Sequence, residues 1–126
     1  MRRVVAAALM GAMLVGGAPA GTARAWESPR IRARLTQWKA WWVPKPKIWR
    51  STGWVRIRNK TDVVQAISCR IDLFARSGRR VGTQQVSKLL RARRAGGKKF
   101  DISGPYGGSK RAKKPVRARI RRCWIL

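Results

Sequence analysis

The sequence contains no histidine. That removes the commonest general base and the commonest metal ligand at neutral pH. It is almost as poor in acid: Glu27, Asp62, Asp72 and Asp101 are its only carboxylate side chains, 4 against 31 lysines and arginines. They are scattered along the chain, which disfavours a paired-carboxylate hydrolase. Asp62 falls in a turn, where Asp bonds locally. Asp72 and Asp101 fall in strand-like runs dense in Arg and Lys, where surface pairing is the ordinary role. The two cysteines, Cys69 and Cys123, are too few for a zinc site. Gly107-Gly108-Ser109-Lys110 lacks the spacing of a phosphate-binding loop. Serine and lysine abound, but nothing singles out one pair as a dyad. These absences lead to the expectation of a non-enzyme with no cofactor and no metal. No internal repeat is visible.

The N-terminus has a recognisable order. Arg2 and Arg3 carry charge, residues 4–17 form an uncharged apolar run, and Pro19 and Gly21 break it. Ala23-Arg24-Ala25 then offers small residues at the two positions a signal peptidase reads. The expectation is an N-terminal signal helix cleaved after Ala25 and a secreted or periplasmic protein. The run is short for a span of about 20 residues. Its retention as an anchor is the other reading. Cleavage leaves 101 residues, one domain's worth. Residues 26–52 form a Trp-rich basic segment with a first strand, and residues 53–126 form the main domain.

Charge then dominates. The net charge is +27, and +24 once Arg2, Arg3 and Arg24 have left with the signal. A small folded domain pays for such charge in self-repulsion. A well-solvated surface is one account of it, and a polyanionic partner is the better one. In an exported chain an even cysteine count points to a disulfide. A Cys69–Cys123 bridge would close a loop of more than 50 residues, worth ~4 kcal/mol in the chain-entropy account.

From residue 53 onward the hydrophobic period is two. Val55 and Ile57 alternate with Trp54, Arg56 and Arg58; Ile67, Cys69, Ile71 and Leu73 alternate with Ser68, Arg70, Asp72 and Phe74. Residues 59–62 and Ser77-Gly78 read as turns, residues 80–87 as a strand, and residues 104–108 as a loop. Val116, Ala118 and Ile120 read as the core face of a final strand. Helical spacing is confined to residues 86–94. Short strands at this interval predict an all-β fold, a small β-sandwich. One conflict stands out: if Val116, Ala118 and Ile120 face inward, strict alternation turns Cys123 outward. A bulge at Arg121-Arg122 would restore the register, and the disulfide requires it.

Three segments carry a family resemblance. Gly53-Trp54-Val55-Arg56-Ile57-Arg58-Asn59-Lys60-Thr61 resembles the opening strand of the FxLYD-like, immunoglobulin-like envelope domains. Ile71-Asp72-Leu73-Phe74 with Ser77-Gly78-Arg79-Arg80-Val81-Gly82 resembles their hairpin, and Ala95-Gly96-Gly97-Lys98-Lys99-Phe100 the step into a later strand. The likeness spans residues 53–103; the cysteines and the charge depart from it. It implies an exported immunoglobulin-like sandwich with no established chemistry and no catalytic residues to carry over.

Two constellations remain as candidate sites. The first is aromatic and interfacial: Trp38, Trp41, Trp42, Trp49 and Arg50, within a stretch that also holds Lys39, Lys45 and Lys47. Indole suits the membrane interface, and lysine or arginine beside it attracts anionic head groups. In composition the stretch resembles indolicidin-type antimicrobial peptides. Aromatics between cations also suit single-stranded nucleic acid. The competing account is that these indoles fill the core, with a first strand through residues 31–42. The second constellation is basic: Arg70, Lys110, Arg111, Lys113, Lys114, Arg117, Arg119, Arg121 and Arg122. Paired with the Cys69 strand, its strand would make a ladder of guanidinium groups suited to phosphate, sulfate or carboxylate. The competing account is a solvated outer face. The function expected is therefore a monomeric, exported, non-catalytic module that binds polyanions. Candidates are anionic lipid, lipopolysaccharide, teichoic acid, acidic polysaccharide and extracellular nucleic acid. The alternatives are a membrane-active antimicrobial or toxin-like protein and a structural or protein-interaction module of the envelope.

Overall fold

Alternation of apolar and polar residues produces seven strands: β1 (Ala25–Glu27), β2 (Ile31–Val43), β3 (Ile48–Asn59), β4 (Gln65–Ala75), β5 (Arg80–Leu90), β6 (Ala95–Tyr106) and β7 (Pro115–Ile125). The computed structural model describes residues 24–106, 110 and 113–126. All but the last two residues of the expected signal segment lie outside the described residues, as does Arg111. The strands form two antiparallel sheets, β1-β2-β3-β6 and β5-β4-β7, packed face to face. β3 crosses position 52 without a break, so residues 25–52 supply β1, β2 and the first part of β3 to the same sheet.

The core lies between the sheets. Val55, Ile57, Ile67, Ile71, Leu73 and Phe100 are fully buried, each stabilising by about 2 kcal/mol relative to exposure. Residues 86–94 are not helical. Val86 and Leu90 lie four apart, a spacing that both periods allow. They are buried inner positions of β5, with Ser87 and Leu89 exposed between them.

The pairings of the described strands slip register at five places, and three of these slips re-aim side chains that matter here. In β2 the register slips between Thr36 and Lys39, where Gln37 and Trp38 stand opposite Gly53 alone. Gln37 takes the left-handed conformation there, at φ 53°. Ile31, Ala33 and Leu35 face the core before the slip, and Trp38 packs against it after. Gly53 permits this close approach, because a Cβ there would lie 2.6 Å from the Phe100 ring and 3.2 Å from the Trp38 Cα. In β7 the pairs Arg70–Arg122 and Ile71–Ile120 leave Arg121 as the extra residue. That is the bulge the sequence demanded. It brings Cys123 to the inner face, opposite Cys69, and the disulfide forms. A second slip makes Val116 the extra residue between Phe74 and Ala75. Val116 is therefore exposed rather than core, and Pro115 is buried in its place.

Asn59 locks one end of the sandwich. Its side chain is fully buried, and its amide shares its hydrogens among the carbonyls of Val63, Leu90 and Arg91 at 2.8, 3.1 and 3.2 Å. Its oxygen accepts from the Thr61 backbone N–H and hydroxyl. The β3–β4 turn is thereby tied to the β5–β6 turn.

Candidate polyanion-binding cleft and arginine face

At the other end of the sandwich the β4–β5 hairpin and the chain entering β7 approach the start of β3. Between them lies an open cleft of about 1100 Å³. Its charged lining is Arg76, Arg79, Arg80, Lys110, Lys113 and Lys114, with no carboxylate. Trp49, Ser77, Val81 and Val116 complete it. Trp49 is buried, and its indole N–H donates to the Lys110 carbonyl at 2.8 Å. Trp42 stands opposite Trp49 in the ladder and meets it edge-on, centroids 5.5 Å apart. Lys110 Nζ lies 5.6 Å over the Trp42 ring and Lys114 Nζ 5.9 Å over the Trp49 ring, within cation–π range. Two constellations that are some 60 residues apart in the chain thus meet: Lys110 stands over Trp42, and Lys114 over Trp49 at the cleft wall.

The cleft continues onto the outer face of β5-β4-β7. Register rows there run Arg80–Phe74–Arg117, Thr83–Asp72–Arg119 and Gln85–Arg70–Arg122. The guanidinium of Arg117 lies 5.7 Å over Phe74 and that of Arg122 lies 4.8 Å over Trp124. Arg117, Arg119, Arg121 and Arg122 are exposed and Arg70 half-buried. The expected ladder exists with one change. The bulge makes Arg122, not Arg121, the residue opposite Arg70.

None of the four acidic side chains lines the cleft. Glu27 pairs with Lys60 and Arg32, Asp101 with Arg50, and Asp62 with Arg93. Asp72, buried in the arginine face, accepts from the Thr83 hydroxyl at 2.7 Å. The Lys60 ammonium, and after it the Arg32 guanidinium, hold the Glu27 carboxyl below its usual range. No salt bridge reaches a cleft cation among the described residues.

The structure divides the expected aromatic set. Trp49 lines the cleft with Trp42 packed edge-on against it, and Trp38 packs against the core. Trp41 is 38% exposed on the outer face of the other sheet, between Lys39 and Arg50. Arg76, Arg79 and Arg80 were not among the expected residues. Their signal was present as cations flanking Ser77-Gly78, but only the fold brings that hairpin beside Lys110, Lys113 and Lys114. Trp54, 41% exposed, was also missed.

No protein-family model matches the chain, and neither the curated proteins nor the solved structures searched contain a match.

Proposed function

We propose that this protein is an exported, monomeric, non-catalytic module that binds anionic polymers or surfaces of the cell envelope or extracellular space. The observation that carries this reading is the cleft: six cationic side chains converge on a concavity with no carboxylate in its lining. The arginine rows beside it extend the same charge along a sheet face, which suits a linear or repeating anion better than a small one. Arg and Lys reach phosphate, sulfate and carboxylate alike. The ligand class is therefore defined by charge: lipopolysaccharide, teichoic acid, acidic polysaccharide, anionic lipid or nucleic acid.

Export is supported by the order of charged, apolar and small residues in 1–25 and by the disulfide, which is consistent with an oxidising compartment. The immunoglobulin-like reading is supported by the pairing. Taken in order from β2, the ladders β2-β3-β6 and β5-β4-β7 correspond to strands A-B-E and C′-C-F of such a sandwich. The disulfide here joins neighbouring strands of one sheet rather than the two sheets. Burial of Trp49 and half-burial of Trp26, Trp38 and Trp42 favour surface binding over membrane insertion, since Trp41 is the exposed indole of that segment.

The test is heparin affinity of the mature protein against the Arg80→Ser/Lys113→Ser/Lys114→Ser variant. We expect at least a tenfold loss and a salt slope lower by about three, one for each contact removed. Unchanged affinity and slope would overturn the assignment of the cleft.

A further inference from the structure

The opposite face of the molecule carries a second arrangement that the cleft does not use. Along the outer side of β1-β2-β3-β6, Arg34 stands directly opposite Arg56, and Arg32 opposite Arg58. All four are exposed and line a shallow groove of about 540 Å³. Like charges placed opposite each other across a ladder repel. Arg32 is relieved by Glu27, and Arg58 donates to the Arg93 carbonyl at 2.8 Å. Arg34 and Arg56 have no acidic partner among the described residues.

Trp54 stands two residues from Arg56 on the same face, with Thr36 opposite it on β2 and Lys99 opposite it on β6. The indole lies against the bare backbone of Gly97, where a Cβ would come within 3.3 Å of the ring. It is therefore supported from below, and 41% of it remains open to solvent. The result is an aromatic surface on a rigid sheet, flanked by guanidinium groups on one side and an ammonium on another. Trp41 continues the line on the same face, four β3 positions away through its partner Arg50, or ~13 Å at strand rise.

The chemistry around Trp54 separates the ligands that stack on indole. A sugar needs acceptors for its hydroxyl protons, but Arg and Lys only donate. The side chains beside Trp54 on this face are two threonines and the donors Arg34, Arg56 and Lys99, and the one carboxylate placed diagonally to it, Asp101 opposite Thr52, is held by Arg50 at 3.0 Å. Such surroundings suit a ligand whose flat groups alternate with purely accepting anions. We propose that this sheet face is a stacking platform for single-stranded nucleic acid, with a base on Trp54 and the flanking phosphates on Arg34, Arg56 and Lys99. The platform extends the polyanion reading to a second face and does not depend on the cleft.

The test is fluorescence anisotropy of a labelled oligothymidylate with the mature protein at low salt. Heparin and duplex DNA serve as competitors, and circular dichroism checks folding. Trp54→Ala should weaken oligothymidylate binding roughly tenfold, Trp54→Phe should retain most of it, and heparin affinity should stay within twofold in both. Arg34→Ser/Arg56→Ser should weaken binding and flatten its salt dependence. Equal loss toward heparin and oligothymidylate in Trp54→Ala, or no loss toward either, overturns the platform. Selective loss toward heparin reassigns the face to acidic glycan and overturns it as well. Heparin binding without oligothymidylate binding defeats the platform and leaves the cleft standing. Absence of binding to both defeats the polyanion reading itself.

Discussion

Replacing Cys69 and Cys123 with alanine removes the covalent link between β4 and β7. The two residues are 54 apart in sequence, and releasing a loop of that length from the denatured chain costs about 4 kcal/mol in the chain-entropy account. For a single domain of about 100 residues, each kcal/mol moves the melting temperature by about 4–8 °C. The expected fall is therefore roughly 20 °C, with a further small loss from the cavity left by two buried sulfurs. Thermal unfolding followed by circular dichroism, with and without reductant, measures it. The reductant arm matters because it breaks the bond without deleting atoms: wild type in reductant should approach the double variant. A reduced protein melting within about 5 °C of the oxidised one would refute this account of the disulfide's contribution.

Asn59→Ala should destabilise by about 2–3 kcal/mol, since it removes the amide partner of the buried Leu90 carbonyl and the part-buried Arg91 carbonyl and the acceptor of the Thr61 N–H; urea denaturation reads this directly. Gly53→Ala should cost about 1–3 kcal/mol by overpacking, because the Phe100 ring it meets is fully buried and the Trp38 contact is backbone. Polyanion affinity should be flat between about pH 5.5 and 7, below the titration of the α-amino group, because the chain has no histidine and its cysteines are paired. A titration step in that range would contradict it. Glu27 has its carboxyl held low by Lys60 and then Arg32. Its contribution to stability is present above the ordinary glutamate range and is lost as pH falls through the lowered value. Glu27→Gln should remove that part of the acid sensitivity.

Alternation makes most of the fold legible in the sequence. Val55, Ile57, Ile67, Ile71 and Leu73 sit where a period of two puts them. The Arg121 bulge followed from a conflict between that period and the disulfide. Where alternation failed, a slip in register was responsible. Val116 is the extra residue of a second bulge, and no conflict in the sequence flagged it. Trp38 turns inward because Gln37 adopts a left-handed conformation opposite a glycine, a local event with little sequence signal. The Val86–Leu90 spacing could not distinguish helix from strand. The site was half legible for a different reason. Lys110, Lys113, Lys114 and Trp49 were visible as residue types, but their meeting with Arg76, Arg79 and Arg80 depends on which hairpin lies beside which loop. Trp54 was passed over because it stands outside the Trp-rich run, although the exposed indole that a binding face needs is there.

The central claim, that this domain binds anions through charge gathered on the cleft and the arginine rows, is tested most directly by heparin affinity as a function of salt. With the six cleft cations engaged, affinity should fall on the order of 10³-fold between about 50 and 200 mM monovalent salt. An affinity that holds across that range would contradict the account.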